Sequence, residues 1–301
     1  MLARAIIARM SSIAVTHFTD PGCPFAYSAS PALAVLHWRY GSQLDWQLVT
    51  IGLAEDPQRY VDAGYTPTKM TVGNQARFRR FGMPLLMEPR ARVAATSRAC
   101  RAIVATRRLH PGREEQVLRA LQLGWFTTTM LLDEDEAIAA ALQRVDGIDV
   151  PAVVAAIDDG QTVSEYERDK AQTRRAEGSP TEAQGKARQT DGPVRYSAPS
   201  LVFTAPDGRR LEAGGFQTIE AYDVLVANLD PRLERKAPPE HELEALRAFP
   251  DGLVTQEVAA IMAENNAPVD RDASERALIE LLGEGAVRRE ALADDALWRV
   301  A

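Results

Sequence analysis

Cys23 lies in the stretch TDPGCPFAYS, residues 19–28. A cysteine attacks as its thiolate, and a free thiol titrates near about 8.5. Pro21 and Gly22 make a turn ahead of it, and Pro24 sits where the first turn of a helix tolerates a proline. Cys23 is therefore expected at a helix N-terminus. There the unpaired N–H groups of the first turn and the positive end of the helix dipole favour the thiolate. Phe25, Ala26 and Tyr27 would offer those N–H groups to the sulfur. The chemistry open to such a thiol is attack on a disulfide, or a mixed disulfide with a small thiol. Ala26 stands where a C-x-x-C motif carries its second cysteine, so an intermediate on Cys23 has to be resolved by another thiol. The plainer alternative is a small buried residue at a helix start.

Few other residues offer chemistry. Cys100, the second of two cysteines, falls on the apolar face of a helix, where a free cysteine usually packs. Asp20 and His17 are placed to tune or deprotonate the Cys23 thiol. Asp20 can instead simply cap the turn, and His17, in a strand, reads more readily as a satisfied core or surface histidine. Tyr27 and Ser28 can line a cleft or pack, and Trp125 and Phe126 read as core. The arginine pairs Arg79-Arg80 and Arg107-Arg108 read as solvated faces. With two cysteines and scattered histidines at 17, 37, 110 and 241, neither a disulfide scaffold nor metal-ligand spacing is present. No metal is expected.

The elements that must hold these residues follow from periodicity. Residues 13–18, IAVTHF, alternate as a strand. Residues 24–41 read as a helix with a kink at Pro31. Residues 44–51 form a second strand with Leu44, Trp46 and Leu48 on one face. Helices are expected at 66–80, 89–109, 113–124, 134–145 and from Pro151 to about 160. Residues 161–190 read as a weakly periodic, frayed helix. Strand character returns at 200–204, followed by a PDG turn and a hairpin partner, then a helix over 217–229. This βαβ, helical block, ββα order is that of a thioredoxin-like α/β fold with a helical insertion at about 65–190.

Four stretches share more than this order: DPGCPFAY at 20–27, ALQLGWFTTTMLLDEDEAIAAAL at 120–142, SAPSLVF at 197–203 and GGFQTIEAYDVLVANL at 214–229. In them the sequence resembles the DsbA-like thioredoxin-fold superfamily, which also holds kappa-class glutathione transferases and 2-hydroxychromene-2-carboxylate isomerases. The resemblance covers residues 13–230. It implies that Cys23 is the nucleophile and that Pro199 is a cis-proline lying against it, with the backbone of Ala198 forming a substrate-docking edge. Pro199 fits that place because a proline cannot donate to a ladder and here stands just before a strand. The chain departs from the oxidoreductases at Ala26, and from the glutathione-using relatives at Cys23, where they carry serine. The implied activity is thiol–disulfide exchange through one cysteine. No cofactor is bound covalently, and a low-molecular-weight thiol, glutathione or an analogue, serves as co-substrate. A kappa-like transferase or isomerase and a non-catalytic interaction protein stand as alternatives.

The chain has 301 residues and a net charge of −7. From Glu234 onward there are fifteen acidic and eight basic residues, against 27 of each before it. The acidic excess marks a separate module at 242–301 after a linker at 234–241. Its three helices and closing hairpin have the outline of a winged helix. A duplex binder needs a basic face, so nucleic acid is not an expected partner. Residues 1–12 read as a disordered leader with Met10 as an alternative start, and no membrane span or signal sequence is seen. The low cysteine count suits the cytoplasm. Expected partners are a small thiol or disulfide substrate, with a homodimer left open.

Overall fold

A computed structural model of the chain describes residues 12–189 and 192–301. The expected leader lies outside the described residues except for Ser12. The first half of the fold runs β1 (Ile13–Thr19), α1 (Pro24–Ser28), α2 (Ser30–Tyr40), β2 (Leu44–Thr50), α3 (Gln58–Asp62) and α4 (Pro67–Arg77). The insertion continues with α5 (Ser97–Leu109), α6 (Glu114–Thr127), α7 (Asp135–Leu142), α8 (Val150–Ala155), α9 (Gly160–Thr173) and α10 (Pro180–Ala183). Then come β3 (Ser200–Thr204), β4 (Arg210–Ala213) and α11 (Ile219–Leu229). The chain ends with α12 (Glu242–Ala248), β5 (Leu253–Val254), α13 (Thr255–Met262), α14 (Arg271–Gly283), β6 (Val287–Leu292) and β7 (Asp295–Val300).

The main sheet has the order β2-β1-β3-β4. β1 and β2 are parallel, with His17 beside Leu48 and Phe18 beside Val49. The other pairs are antiparallel, placing Leu201 opposite His17. Side chains alternate across a strand, so Ile13, Val15, Leu44, Leu201 and Phe203 share one buried face packed on α2 and α11. Phe18, Val49, Ile51 and Val202 form the other, in one cluster with Cys23. The thioredoxin-like order expected from the sequence is this βαβ–helices–ββα arrangement.

Two expected helices break differently, each for a physical reason. The helix over 24–41 divides at Ala29 into α1 and α2. Pro31 has no N–H to give the carbonyl of Tyr27, and its ring crowds that carbonyl, so the helix restarts there. The helix over 89–109 begins only at Ser97. The Thr96 and Ser97 amides both donate to the Ala54 carbonyl, at 3.3 and 3.2 Å. Upstream, the Arg90 guanidinium donates to the carbonyls of Trp125 and Met130 and lies over the Trp125 ring. Tertiary partners outweigh the helical propensity of residues 89–96.

The insertion has its own core, in which Ile103, Leu121, Phe126, Leu132, Ile138 and Val153 are buried. Arg107, read as a solvated face, instead bridges Asp169 and the Leu48 carbonyl (2.7 Å), tying α5 to α9 and β2.

The C-terminal elements form a three-stranded sheet of order β5-β7-β6 with three helices. β5 was not expected from the sequence. Leu246, Val258, Leu278 and Trp298 are buried in one cluster with Ala34, Val35 and Trp38 of α2, so this segment packs on the thioredoxin-like part. A buried ion pair fastens the contact. Arg119 of α6 donates twice to the fully buried Glu257 carboxylate, at 2.6 Å each. The segment expected as a linker is strapped along α2: the Lys236 amide donates to the Arg39 carbonyl and Trp38 Nε1 to that of Ala237. Among the described residues no helix is long and apolar enough to cross a membrane.

Candidate active site around Cys23

Cys23 is the N-cap of α1, with Pro24 in the first turn. Its Sγ donates to the carbonyl oxygen of Ala198 at 3.3 Å, and the Ala198–Pro199 peptide bond is cis. Two segments 175 residues apart are thus joined at one sulfur. The Phe25 and Ala26 amides point at the sulfur, whereas the Tyr27 amide closes the helix on the Cys23 carbonyl at 3.0 Å.

The thiol is not activated in this arrangement. Burial pushes Cys23 up to about 12, and the nearby Asp20 carboxylate pushes the same way; the amides of Ala26 and Phe25 and the charge of Arg195 favour the thiolate but do not prevail. The expectation that the helix start holds a thiolate is therefore corrected. α1 has five residues, too few for a strong macrodipole, and Cys23 is only 7 % exposed. Desolvation of the charged form outweighs what one short turn supplies.

Asp20 is fully buried and accepts four hydrogen bonds: from Gly22 N, Leu53 N and Thr96 Oγ1, each at 2.9 Å, and from Cys100 Sγ at 3.4 Å. Burial raises its own pKa despite these donors. Asp20 thus fixes the turn before Cys23 and reaches the second cysteine. Cys100 is wholly buried beside Val104 and Tyr166, and burial lifts its thiol far above the ordinary range.

His17 is elsewhere. It follows the opposite face of β1 from Phe18, edge-on to the Trp46 ring, which in turn stacks on His37. It is 5 % exposed, and its Nε2 has no hydrogen-bond partner. Burial drives its pKa down to about 3. It does not tune Cys23, and it is not a satisfied core histidine either. Tyr27 also turns away from the thiol: its hydroxyl donates to the Pro84 carbonyl at 2.8 Å and its ring stacks on Phe126.

Of the other neighbours, only Phe25 is singled out by the sequence, and there for its amide, not its ring. Tyr60 of α3 lies within electrostatic reach of Cys23 and Asp20. Phe25, 44 % exposed, meets Phe78 edge-on and Phe216 at a tilt, and Phe81 also packs on Phe216. No local pattern marks these as a group, since they come from three separate segments. Arg195 had one available signal, a cation four residues before Pro199. Among the described residues no cluster of His, Cys, Asp and Glu could hold a metal ion.

A thiol at the start of a helix, facing the carbonyl before a cis-proline across a four-stranded mixed sheet, can be compared with known proteins. The family model of the DSBA-like thioredoxin domain matches residues 14–195. The chain belongs to that family. The model ends just short of the Ala198–Pro199 edge of this DSBA-like chain. Among solved structures, the fold resembles a probable DsbA oxidoreductase from Streptomyces coelicolor (18 % identity, TM-score 0.51, covering 76 % of this chain and 93 % of that one). It also resembles the cytosolic disulfide reductase DsbM from Pseudomonas aeruginosa (15 % identity, TM-score 0.52, covering 72 % and 98 %). A second DsbM structure, solved with GSH, matches with a TM-score of 0.50 at 14 % identity, covering 72 % and 98 %. At these identities the likeness shows the fold. No curated protein sequence matches the chain.

Proposed function

We propose that this DSBA-like chain is a thiol–disulfide oxidoreductase that works through the single thiol of Cys23, with a low-molecular-weight thiol such as glutathione as resolving partner. The observation that carries the reading is the Cys23 thiol set 3.3 Å from the Ala198 carbonyl with Ala26, not a second cysteine, one helical turn on. In the forward step the Cys23 thiolate attacks one sulfur of a disulfide; that bond breaks, a Cys23 mixed disulfide forms, and the other sulfur leaves as a thiolate. An external thiolate then attacks the mixed disulfide, takes the bound sulfur as a new disulfide and returns Cys23 to the thiol. Overall the external thiol is oxidised into the new disulfide and the other sulfur of the substrate is released reduced, so one disulfide is exchanged for another. Cys100, buried and hydrogen-bonded to Asp20, takes no part.

Burial holds Cys23 protonated in the conformation described, so the reaction needs its cover to open. α3 is the most loosely held element near the thiol: it contains no buried residue, and its Tyr60 lies within electrostatic reach of the sulfur. Restoring water removes the largest influence against the thiolate and leaves the Phe25 and Ala26 amides and Arg195 in its favour. The GSH-bound DsbM structure supports a small thiol as partner, and cytosolic DsbM together with the two-cysteine composition supports a cytoplasmic location. The C-terminal helices and sheet are read as a winged-helix-like module used for packing and protein contact, in keeping with its acidic balance.

The test is turnover of a small disulfide, 2-hydroxyethyl disulfide, with reduced glutathione as electron donor. Turnover that Cys23→Ser abolishes and Cys100→Ser keeps supports the reading. Turnover that survives Cys23→Ser overturns it, as does a wild-type protein without turnover.

A further inference from the structure

Phe25 stands two residues after Cys23, in the first turn of α1, and its ring is exposed. The ring meets Phe78 edge-on, with centroids 4.8 Å apart, and Phe216 at a tilt at 6.2 Å. Phe81 packs on Phe216 at 4.7 Å. Edge-on and tilted ring pairs at such separations are attractive. Phe216 follows Gly215, whose amide donates to Ser200 Oγ at 3.0 Å, next to Pro199. The four rings thus run from the helix start that holds Cys23 to the loop that carries Ala198. Phe25 leaves part of this aromatic surface open to solvent.

Phe78 and Phe81 sit at the start of a stretch, residues 78–86, that is held from two sides. On one side, the Tyr27 hydroxyl donates to the Pro84 carbonyl and the Leu86 amide to that of Phe126, each at 2.8 Å. These ties hold the far end of the stretch. The other side is supplied by the C-terminal segment. Asp294, in the turn between β6 and β7, accepts from the Leu85 amide at 3.0 Å and faces the Arg79 guanidinium at 3.4 Å. Gln256 of α13 lies against Gly82, in the space a Cβ would fill. Val254, Leu292 and Leu297 share one buried cluster with Phe78, Met83 and Leu85. The β6–β7 turn is only Ala293 and Asp294. Ala293 has a φ of +47°, a conformation that glycine adopts readily and alanine does not. Such a conformation persists where the surroundings hold it, and here the turn is held against residues 79–85.

We propose that the C-terminal segment is a working part of the thiol site, with Asp294 as a positioning residue. By holding Leu85 and the turn before it, Asp294 keeps Phe78 and Phe81 packed behind Phe25 and Phe216. The resulting aromatic wall favours reaction partners that bring a flat apolar group to Cys23. This role rests on Cys23 as the reacting thiol. Alkylation of that thiol can be followed whether or not disulfides turn over, so the two readings fail separately.

The experiment compares alkylation of Cys23 by N-phenylmaleimide and by N-ethylmaleimide in the full chain carrying Cys100→Ser. Each rate is divided by that of free glutathione with the same reagent. Both reagents need the same opening and the same thiolate, so the ratio of the two normalised rates reads the wall alone. It is expected to favour the phenyl reagent about fivefold, the worth of one aromatic pair. Asp294→Ala, at an exposed position, should remove this preference and leave the N-ethylmaleimide rate within about twofold of the parent. Phe216→Ala should do the same. Asp294→Asn keeps an acceptor for Leu85 and gives up only an exposed ion pair, which is worth little, so a preference of about threefold or more should remain. The proposal falls if the parent shows no preference, if Asp294→Ala keeps it in full, if Asp294→Asn loses it as completely as Asp294→Ala, or if both reagents slow together.

Discussion

The two parts of the helical insertion are packed in opposite ways. α5 and α6 bury eight and ten residues, among them Ile103, Leu121 and Phe126, and share one continuous core with α7 and α8. α3 and α4 bury none. Val61, Tyr65 and Val72 are instead 46, 49 and 59 % exposed. A segment held by few buried contacts opens at low cost, while a packed core opens only with the whole domain. The helices thus divide into a packed block that fixes Thr96 and Cys100 around Asp20 and a loosely held pair, of which α3 carries Tyr60 within electrostatic reach of the thiol. Such a division suits a thiol kept protonated until a substrate arrives.

Truncation should separate the two parts most sharply. Leu121→Ala should cost about 2–5 kcal/mol of stability, the usual range for a leucine cut from a packed core. Val72→Ala should fall within about 0.5 kcal/mol of wild type, as surface substitutions do. Urea unfolding measures both. A Val72→Ala cost near that of Leu121→Ala would mean that α4 is part of the core.

A smaller effect concerns the thiol itself, measured by iodoacetamide labelling in a Cys100→Ser background. Only the thiolate reacts, and burial sets Cys23 at about 12. The closed-state rate should therefore climb about tenfold per pH unit through pH 9 without a plateau. Tyr60→Ala removes the bulky side chain within electrostatic reach of the sulfur and should raise the rate at pH 8 several-fold. A plateau below pH 9 in the wild type would show a thiol already exposed and activated.

Much of this arrangement is legible in the sequence, and its limits are specific. Alternation in IAVTHFT and LDWQLVT gives the parallel pair, and turn chemistry in PDG gives the hairpin. Pro24 and Pro199 mark the two ends of the site because a proline's missing N–H restricts where it can stand. The same alternation separates His17 from Phe18, but nothing local says which face holds Cys23. The partners of Asp20 are not legible: Leu53, Thr96 and Cys100 meet it only through tertiary packing. Nor is the start of α5, since the Ala54 carbonyl and the Arg90 contacts that keep residues 89–96 non-helical come from distant parts of the chain. The protonation of the thiol is not legible for a related reason. A helix start can be read from Pro24, but the burial that outweighs it depends on side chains from β1, β2 and the loop before β3.

The central claim is that one thiol carries the exchange and a second molecule resolves it. Intact-mass analysis after incubation with glutathione disulfide tests this most directly. The account predicts a single glutathione adduct, mapped by peptide digestion to Cys23, that persists on dilution and disappears when reduced glutathione is added. An adduct that converts to a Cys23–Cys100 disulfide, or one that forms on Cys100 while Cys23 stays free, would contradict it.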